Sequence, residues 1–231
     1  MGGKAIFADG RVALRNVTVC YGRRVALEAV TGEFAPGSLT AVVGANGAGK
    51  STLLAAIAGT VPLARGSVEC QARRRLGYLP QVRELDADYP LTVSELILLG
   101  AWREFGAFGS PGPALRRRAE EVASIIGAEG LLQRRIGELS VGELQRALFA
   151  RLMMQDPPII LLDEPFAAVD AQTTTALLDR VEQWHREDRT VIAVLHDLDL
   201  VRARFPSTLV LARRCVAWGP TETALSMMVP T

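Results

Sequence analysis

Apolar and polar positions along the chain predict strands alternating with helices. Residues 12 to 19, VALRNVTV, alternate enough for a strand with one solvated face. Leu39 to Val43 is apolar apart from Thr40 and stops at Gly44, the pattern of a buried strand. Ser51 to Ala58 predicts a short apolar helix with Gly59 as its stop. Ile159 to Leu162 and Thr190 to Leu195 repeat the buried-strand pattern, and 208 to 218 holds one or two strands more. Residues 143 to 154 place Leu144, Ala147, Leu148 and Leu152 on one helical face, and 172 to 187 reads as an amphipathic helix. This alternation predicts an α/β fold with a largely parallel sheet. Residues 82 to about 140 differ in texture, with SPGP at 110 to 113, many Arg and Glu, and helical spacing at Leu96, Leu99 and Gly100. They read as a mostly helical insert. There is no internal repeat and no low-complexity linker.

Length and composition narrow the classes. A chain of 231 residues suits one large domain, or one with a smaller inserted lobe. A net charge of +1 does not call for a nucleic-acid partner, and the short Arg clusters, such as Arg73 to Arg75 and Arg116 to Arg118, read as solvated faces. Cys20, Cys70 and Cys215 are odd in number and lack C-x-x-C spacing, so they read as buried free thiols of a reducing compartment. The start MGGKAIFADG has no long apolar stretch of a signal peptide, and Ile6 stands where a myristoylation motif needs Ser or Thr. No apolar run reaches the roughly 18 residues of a membrane span. If the protein serves a membrane process, other chains are expected to cross the bilayer.

The stretch GANGAGKST, 44 to 52, lies between a predicted strand and a predicted helix. Gly44, Gly49, Lys50 and Ser51 satisfy G-x-x-x-x-G-K-[ST] in full. In such a loop the backbone N–H groups of Gly44, Ala45, Asn46, Gly47, Ala48 and Gly49 turn toward phosphates, and the helix beginning near Lys50, Ser51 and Thr52 points its positive end at them. Lys50 is expected to reach the β- and γ-phosphates, and Ser51 to ligate Mg²⁺. Alone, the loop says nucleoside triphosphate and Mg²⁺ without choosing among kinase, GTPase, helicase and transporter.

IILLDEP, 159 to 165, ends an apolar strand in two carboxylates, where α/β sheets bind ligands. Asp163 is placed to hold Mg²⁺ through water, and Glu164 to polarise an attacking water. His196 follows the next apolar strand and is placed to contact a γ-phosphate. His185 sits on a polar helix face and receives no role.

Residues 139 to 146, LSVGELQR, choose among these classes. Here the chain resembles the ATP-binding cassette family, whose signature is usually Leu-Ser-Gly-Gly-Gln. Ser140 and Gly142 match, while Val141 and Glu143 depart from the usual residues. Ser140 is also a residue type that caps a helix. The resemblance runs through most of the chain in order. It implies that Tyr21 stacks on adenine, that Gln81 in GYLPQ touches Mg²⁺ and senses a membrane partner, that Asp170 in FAAVD belongs to the D-loop, and that His196 is the switch histidine. It implies a P-loop nucleotide hydrolase core with an N-terminal antiparallel β portion and an inserted helical subdomain. The single nucleotide-binding domain is then 11 to 231, with its RecA-like core near 11–81 and 141–218 and its helical part near 82–140. It further implies ATP and Mg²⁺ as cofactors, with Glu164, His196 and Gln81 catalytic. Two cassettes are expected to face each other, Ser140, Val141, Gly142 and Glu143 of one meeting the ATP of the other, so that ATP closes a homodimer.

PQVRELDADYPLTVSELILLG, 80 to 100, is similar to ATPase subunits of bacterial zinc and manganese importers, through Asp86 or Asp88, Tyr89 with Pro90, and Thr92 with Val93. The implied partners are integral-membrane permease subunits and, indirectly, a periplasmic or extracellular metal-binding protein, with the chain peripheral on the cytoplasmic face of the cell's inner membrane. No Cys/His cluster has the spacing of a site for transported metal. Alternatives are an importer of an iron-siderophore or cobalamin, and a soluble cassette ATPase outside transport.

Overall fold

The structure, a computed structural model, describes residues 10–81, 90–106, 109–167 and 169–228. Asp86, Asp88 and Tyr89, used above for the cargo, lie outside the described residues, as do residues 1–9. In chain order the first half holds β1 (Val12–Tyr21), β2 (Arg24–Phe34), β3 (Leu39–Val43), α1 (Lys50–Ala58), β4 (Arg65–Cys70) and β5 (Leu76–Leu79). Then come α2 (Val93–Leu98), α3 (Trp102–Phe105), α4 (Pro113–Ile125) and α5 (Val141–Gln155). The remainder is β6 (Ile159–Asp163), α6 (Ala171–Arg186), β7 (Thr190–Val194), α7 (Leu198–Arg204), β8 (Ser207–Ala212), β9 (Arg214–Pro220) and α8 (Thr221–Ser226). By internal contact the chain divides in two: one unit up to Tyr78 with Pro158–Glu164 and the chain from Glu182 on, the other Leu79–Pro157 with Pro165–Val181.

In the first unit every residue of β3, β6 and β7 is buried, which is why these strands read as unbroken apolar runs rather than alternations. They lie in a six-stranded sheet ordered β5-β6-β7-β3-β8-β9. The pairs β6–β7, β7–β3 and β3–β8 are parallel, and β8–β9 is an antiparallel hairpin. The 208–218 stretch is thus two strands. A second sheet, ordered β2-β1-β4, is antiparallel. Its core-facing Leu14, Val17, Leu27, Val30 and Phe34 share one apolar cluster with Leu53 and Ile57 of α1 and with Leu161, Ile192 and Leu209. Its wet face carries the ion pairs Arg11–Glu33 and Arg15–Glu69. Helix α1 stops at Gly59, whose left-handed backbone donates to Ala55 and Ala56 carbonyls.

In the second unit α2, α4 and α5 pack on one another. The buried residues include Ile97, Ala123 and Phe149, together with the expected Leu144, Ala147, Leu148 and Leu152. The helix Val141–Gln155, grouped with the core in the sequence reading, belongs to this unit.

Two local readings are corrected. His185 is not idle on a polar face: its Nδ1 lies 2.8 Å from the Gly37 carbonyl, tying the end of α6 to the turn before β3. The three cysteines are free but only half-buried. After Trp218 the chain forms α8, and buried Thr221 shares a 2.9 Å hydrogen bond with Thr208. No described helix is long and apolar enough to cross a membrane.

Leu161→Ala, at the centre of fully buried β6, is expected to cost about 2–5 kcal/mol through lost burial and a cavity. Ile125→Ala, at a residue 55% exposed, is expected to stay within about 0.5 kcal/mol. Urea unfolding followed by circular dichroism measures both, and equal midpoints for the two variants would contradict the assigned core.

Candidate functional site

The loop from Gly44 to Gly49 leaves the end of β3 and enters α1 through a gap that admits no side chain at two points. A Cβ on Gly44 would lie 2.1 Å from the Leu211 carbonyl oxygen, and one on Gly49 2.5 Å from that of Ala26. Gly49 also has φ 96°, a conformation that L side chains disfavour. The Ala48 carbonyl accepts from the Arg213 N–H at 2.8 Å, so the β8–β9 turn braces the loop. Ala45, Asn46 and Gly47 are exposed at the rim, Ala48 is buried, and Ser51 and Thr52 are half-buried in the first turn of α1.

Lys50 is 6% exposed, and its Nζ donates to the carbonyls of Gly44 at 2.8 Å and Ala45 at 3.1 Å. The ammonium thus lies across its own loop. Burial lowers its pKa, while the nearby carboxylates of Glu164 and Asp163 act in the opposite direction. Asp163 ends β6 fully buried. Glu164 follows with φ 53°, a left-handed conformation that costs a non-glycine residue about 1 kcal/mol or more. Its N–H donates to the Val194 carbonyl at 3.2 Å, and its Oε1 lies 2.6 Å from Nε2 of His196. The unusual turn aims the carboxylate across the ends of β6 and β7 at the imidazole. Tyr21, at the end of β1, is 52% exposed.

In the second unit, Ser140 caps α5. Its Oγ accepts from the Glu143 N–H, while Glu143 Oε2 accepts from the Ser140 N–H at 2.8 Å. These two bonds form a capping box. Glu143 also pairs with Arg134 at 2.8 Å. The Ser140 N–H and hydroxyl hold the Glu143 carboxyl below the ordinary carboxylate pKa, with the Arg134 guanidinium helping. Val141 is the first helical residue, 53% exposed and without positive φ, so nothing local demands glycine there. A cavity of about 420 Å³ is lined by Ser140, Val141, Gly142 and Glu143 together with Arg146, Val169 and Asp170. Asp170 accepts from the N–H and hydroxyl of Thr173 at 2.8 and 2.7 Å and so starts α6. Gln81 follows β5, half-buried. Among the described residues no group of three or more His, Cys, Asp or Glu side chains is arranged to hold a metal ion.

A family model for ABC transporters matches residues 27–167. The chain belongs to the ABC transporter family. Among the relatives of this ABC protein is the manganese transport system ATP-binding protein MntB of Listeria monocytogenes, 35% identical over 90% of each chain. Another is the zinc transport system ATP-binding protein TroB of Treponema pallidum, 36% identical over 93% of this chain and 83% of that one. Among solved structures, a dimeric post-hydrolysis ATP-binding cassette, MJ0796 bound to ADP and Pi, superposes with a TM-score of 0.80 at 26% identity, covering 91% of this chain and 98% of that one.

The first unit of the ABC protein thus gathers the loop, Asp163, Glu164 and His196, and the second gathers the signature residues and Asp170. Sequence reasoning gave no role to Arg146, although it lies inside LSVGELQR, on the same face of α5 as Gly142 by helical spacing. It also missed the Arg134–Glu143 pair, for which opposite charges nine positions apart gave no helical-spacing signal.

The lowered Glu143 pKa makes its contribution to stability complete above the ordinary carboxylate range and lost as pH falls through the lowered folded value. Glu143→Gln removes that charge, so the stability gap between wild type and variant is expected to be widest near neutral pH and to close in acid. Ser140→Ala is expected to cost about 1 kcal/mol at neutral pH. Denaturant titrations from pH 7 to pH 3 read both; a gap that widens on acidification would show the carboxyl is not held in this way.

Proposed function

We propose that this chain is the ATP-hydrolysing subunit of a bacterial importer for zinc or manganese. The observation that carries the hydrolytic part is the Glu164–His196 contact of 2.6 Å, whose carboxylate is also close enough to act on Lys50. The loop fits a polyphosphate: glycine where side chains are excluded, exposed rim residues, and a lysine resting on carbonyls that a phosphate can replace. Ser51 and Asp163, a hydroxyl and a carboxylate, are hard oxygen donors suited to Mg²⁺. When bound, Mg²⁺ supplies charge neutralisation on the phosphate oxygens.

The chain's own residues then divide the work. The backbone of Gly44 to Gly49 and the hydroxyl side of Ser51 and Thr52 orient the phosphates. Lys50 exchanges its carbonyl partners for phosphate oxygens. Glu164 accepts the proton of the attacking water, and His196 holds Glu164 in place and faces the γ-phosphate. Tyr21, already exposed, offers a stacking face to adenine. Ser140, Val141, Gly142, Glu143 and Asp170 line the cavity that receives the ATP held by a second copy, which makes the working unit a homodimer. The MJ0796 dimer supports that arrangement by similarity. The cargo follows from the manganese and zinc transport relatives. It carries with it permease partners, an external metal-binding protein and a peripheral position on the cytoplasmic side of the membrane.

Glu164→Gln is expected to lower phosphate release by about 10²- to 10⁴-fold while leaving nucleotide binding in place. Phosphate release and fluorescent-nucleotide titration of the same preparation check this. Liposomes carrying the chain with its permease and binding protein test the cargo. Zinc or manganese is expected to stimulate ATPase activity, and that stimulation should vanish in Glu164→Gln. Stimulation by an iron-siderophore or cobalamin would move the assignment to those cargoes. Activity indifferent to the permease and to every cargo would end the transport reading.

A further inference from the structure

We infer that Arg24 is a second phosphate-facing cation of the loop site, delivered by β2 and lying outside the loop motif. The inference rests on the reading of Gly44–Ser51 as a nucleotide-phosphate site. A Cβ placed on Gly47, at the exposed rim of the loop, would lie 3.5 Å from Nη2 of Arg24. The strand that carries this arginine is fixed against the loop next door. A Cβ on Gly49 would meet the Ala26 carbonyl oxygen at 2.5 Å and Leu27 Cδ2 at 2.7 Å. Strand alternation puts Arg24 and Ala26 on one face of β2. Tyr21 and Arg24 are direct cross-strand partners at the closed end of the β1–β2 hairpin, so their side chains also share a face. One hairpin tip thereby presents an exposed aromatic ring and a guanidinium beside the phosphate loop.

The charge bookkeeping points the same way. Three arginines of the same unit are matched to acids: Arg11 to Glu33, Arg15 to Glu69, and Arg214 to Glu28. The guanidinium of exposed Arg24 pairs with no described carboxylate. Lys50 is engaged by the loop carbonyls and is offset by Asp163 and Glu164. A polyphosphate arriving at the rim therefore meets Arg24 as a cation with no described carboxylate to give up. The planar fork of an arginine suits two phosphate oxygens at once, which a lysine does not match.

The test is calorimetric titration of the full chain with ATP and ADP at low and high salt, beside the unfolding temperature without nucleotide. Arg24→Gln is expected to weaken ATP binding about three- to tenfold at low salt, less at high salt, with no change in the nucleotide-free unfolding temperature. Arg24→Lys recovers part of the loss, and Arg23→Gln, one residue away on the turn, leaves affinity alone. Unchanged ATP affinity in Arg24→Gln, or a loss matched by a lower unfolding temperature, overturns the assignment. Absence of ATP binding by the wild-type chain removes the phosphate-site reading itself, and this inference with it.

Discussion

The site depends on one steric constraint: the backbone between β3 and α1 passes so close to two other backbones that side chains are excluded. Carbonyl oxygens of Leu211 and Ala26 occupy the space that a Cβ on Gly44 or Gly49 would need. The first belongs to β8 and the second to β2, so the loop is gripped by strands of both sheets. Hydrogen bonds extend the grip, since the Arg213 N–H donates to Ala48 and the Arg213 carbonyl accepts from Glu28. A loop held in this way keeps its backbone path before any ligand arrives, with the Ala48 N–H donating to the Ala45 carbonyl at 3.1 Å. That is how a short exposed segment gains the rigidity that the proposed phosphate binding needs.

Charge is arranged around the same constraint. Lys50 is buried, which disfavours its charged form, yet two loop carbonyls and two carboxylates favour it. Glu164 reaches that neighbourhood with a left-handed backbone at the end of buried β6, and its carboxylate meets His196 beyond the end of β7. Strain at one residue thus goes with a specific contact, as is common at functional sites. The apolar strands supply a rigid floor, and the polar groups crowd at their C-terminal ends.

Much of this was legible in the residues. Buried parallel strands announce themselves as apolar runs, and β3, β6 and β7 did so within a residue or two. The phosphate loop was legible because its glycines answer to geometry that few other sequences meet. Less visible were contacts between segments far apart in sequence. His185 looked idle because its partner is a backbone carbonyl, which no residue type encodes. Arg24 carried no motif signal, because its inferred role comes from the distance to Gly47, far along the chain. The short α8 was hidden by a stretch in which Thr221 to Ser226 carries little amphipathic pattern. The proposed cargo falls outside what these residues encode, and manganese and zinc relatives match the chain at 35% and 36% identity.

The two departures in the signature have different physical weight. Val141 replaces glycine at an exposed first helical position with ordinary backbone angles, so the added side chain meets solvent. Its cost there is small, and β-branching restricts the turn rather than distorting it. Glu143 does more than stand in for glutamine. A glutamine side chain can also close a capping box. Only the carboxylate can accept from Ser140 and at the same time pair with the Arg134 cation, which also donates to the Glu138 carbonyl. The charge therefore fixes the start of α5 to the preceding turn. It also fixes the direction of Ser140, whose hydroxyl is shared with that carboxylate at 2.9 Å. For Ser140 to serve a phosphate in the facing cavity, its hydroxyl must turn from Glu143 toward the ligand, and the carboxylate keeps a backbone N–H and Arg134 when it does. The substitution leaves the helix start secured through that exchange.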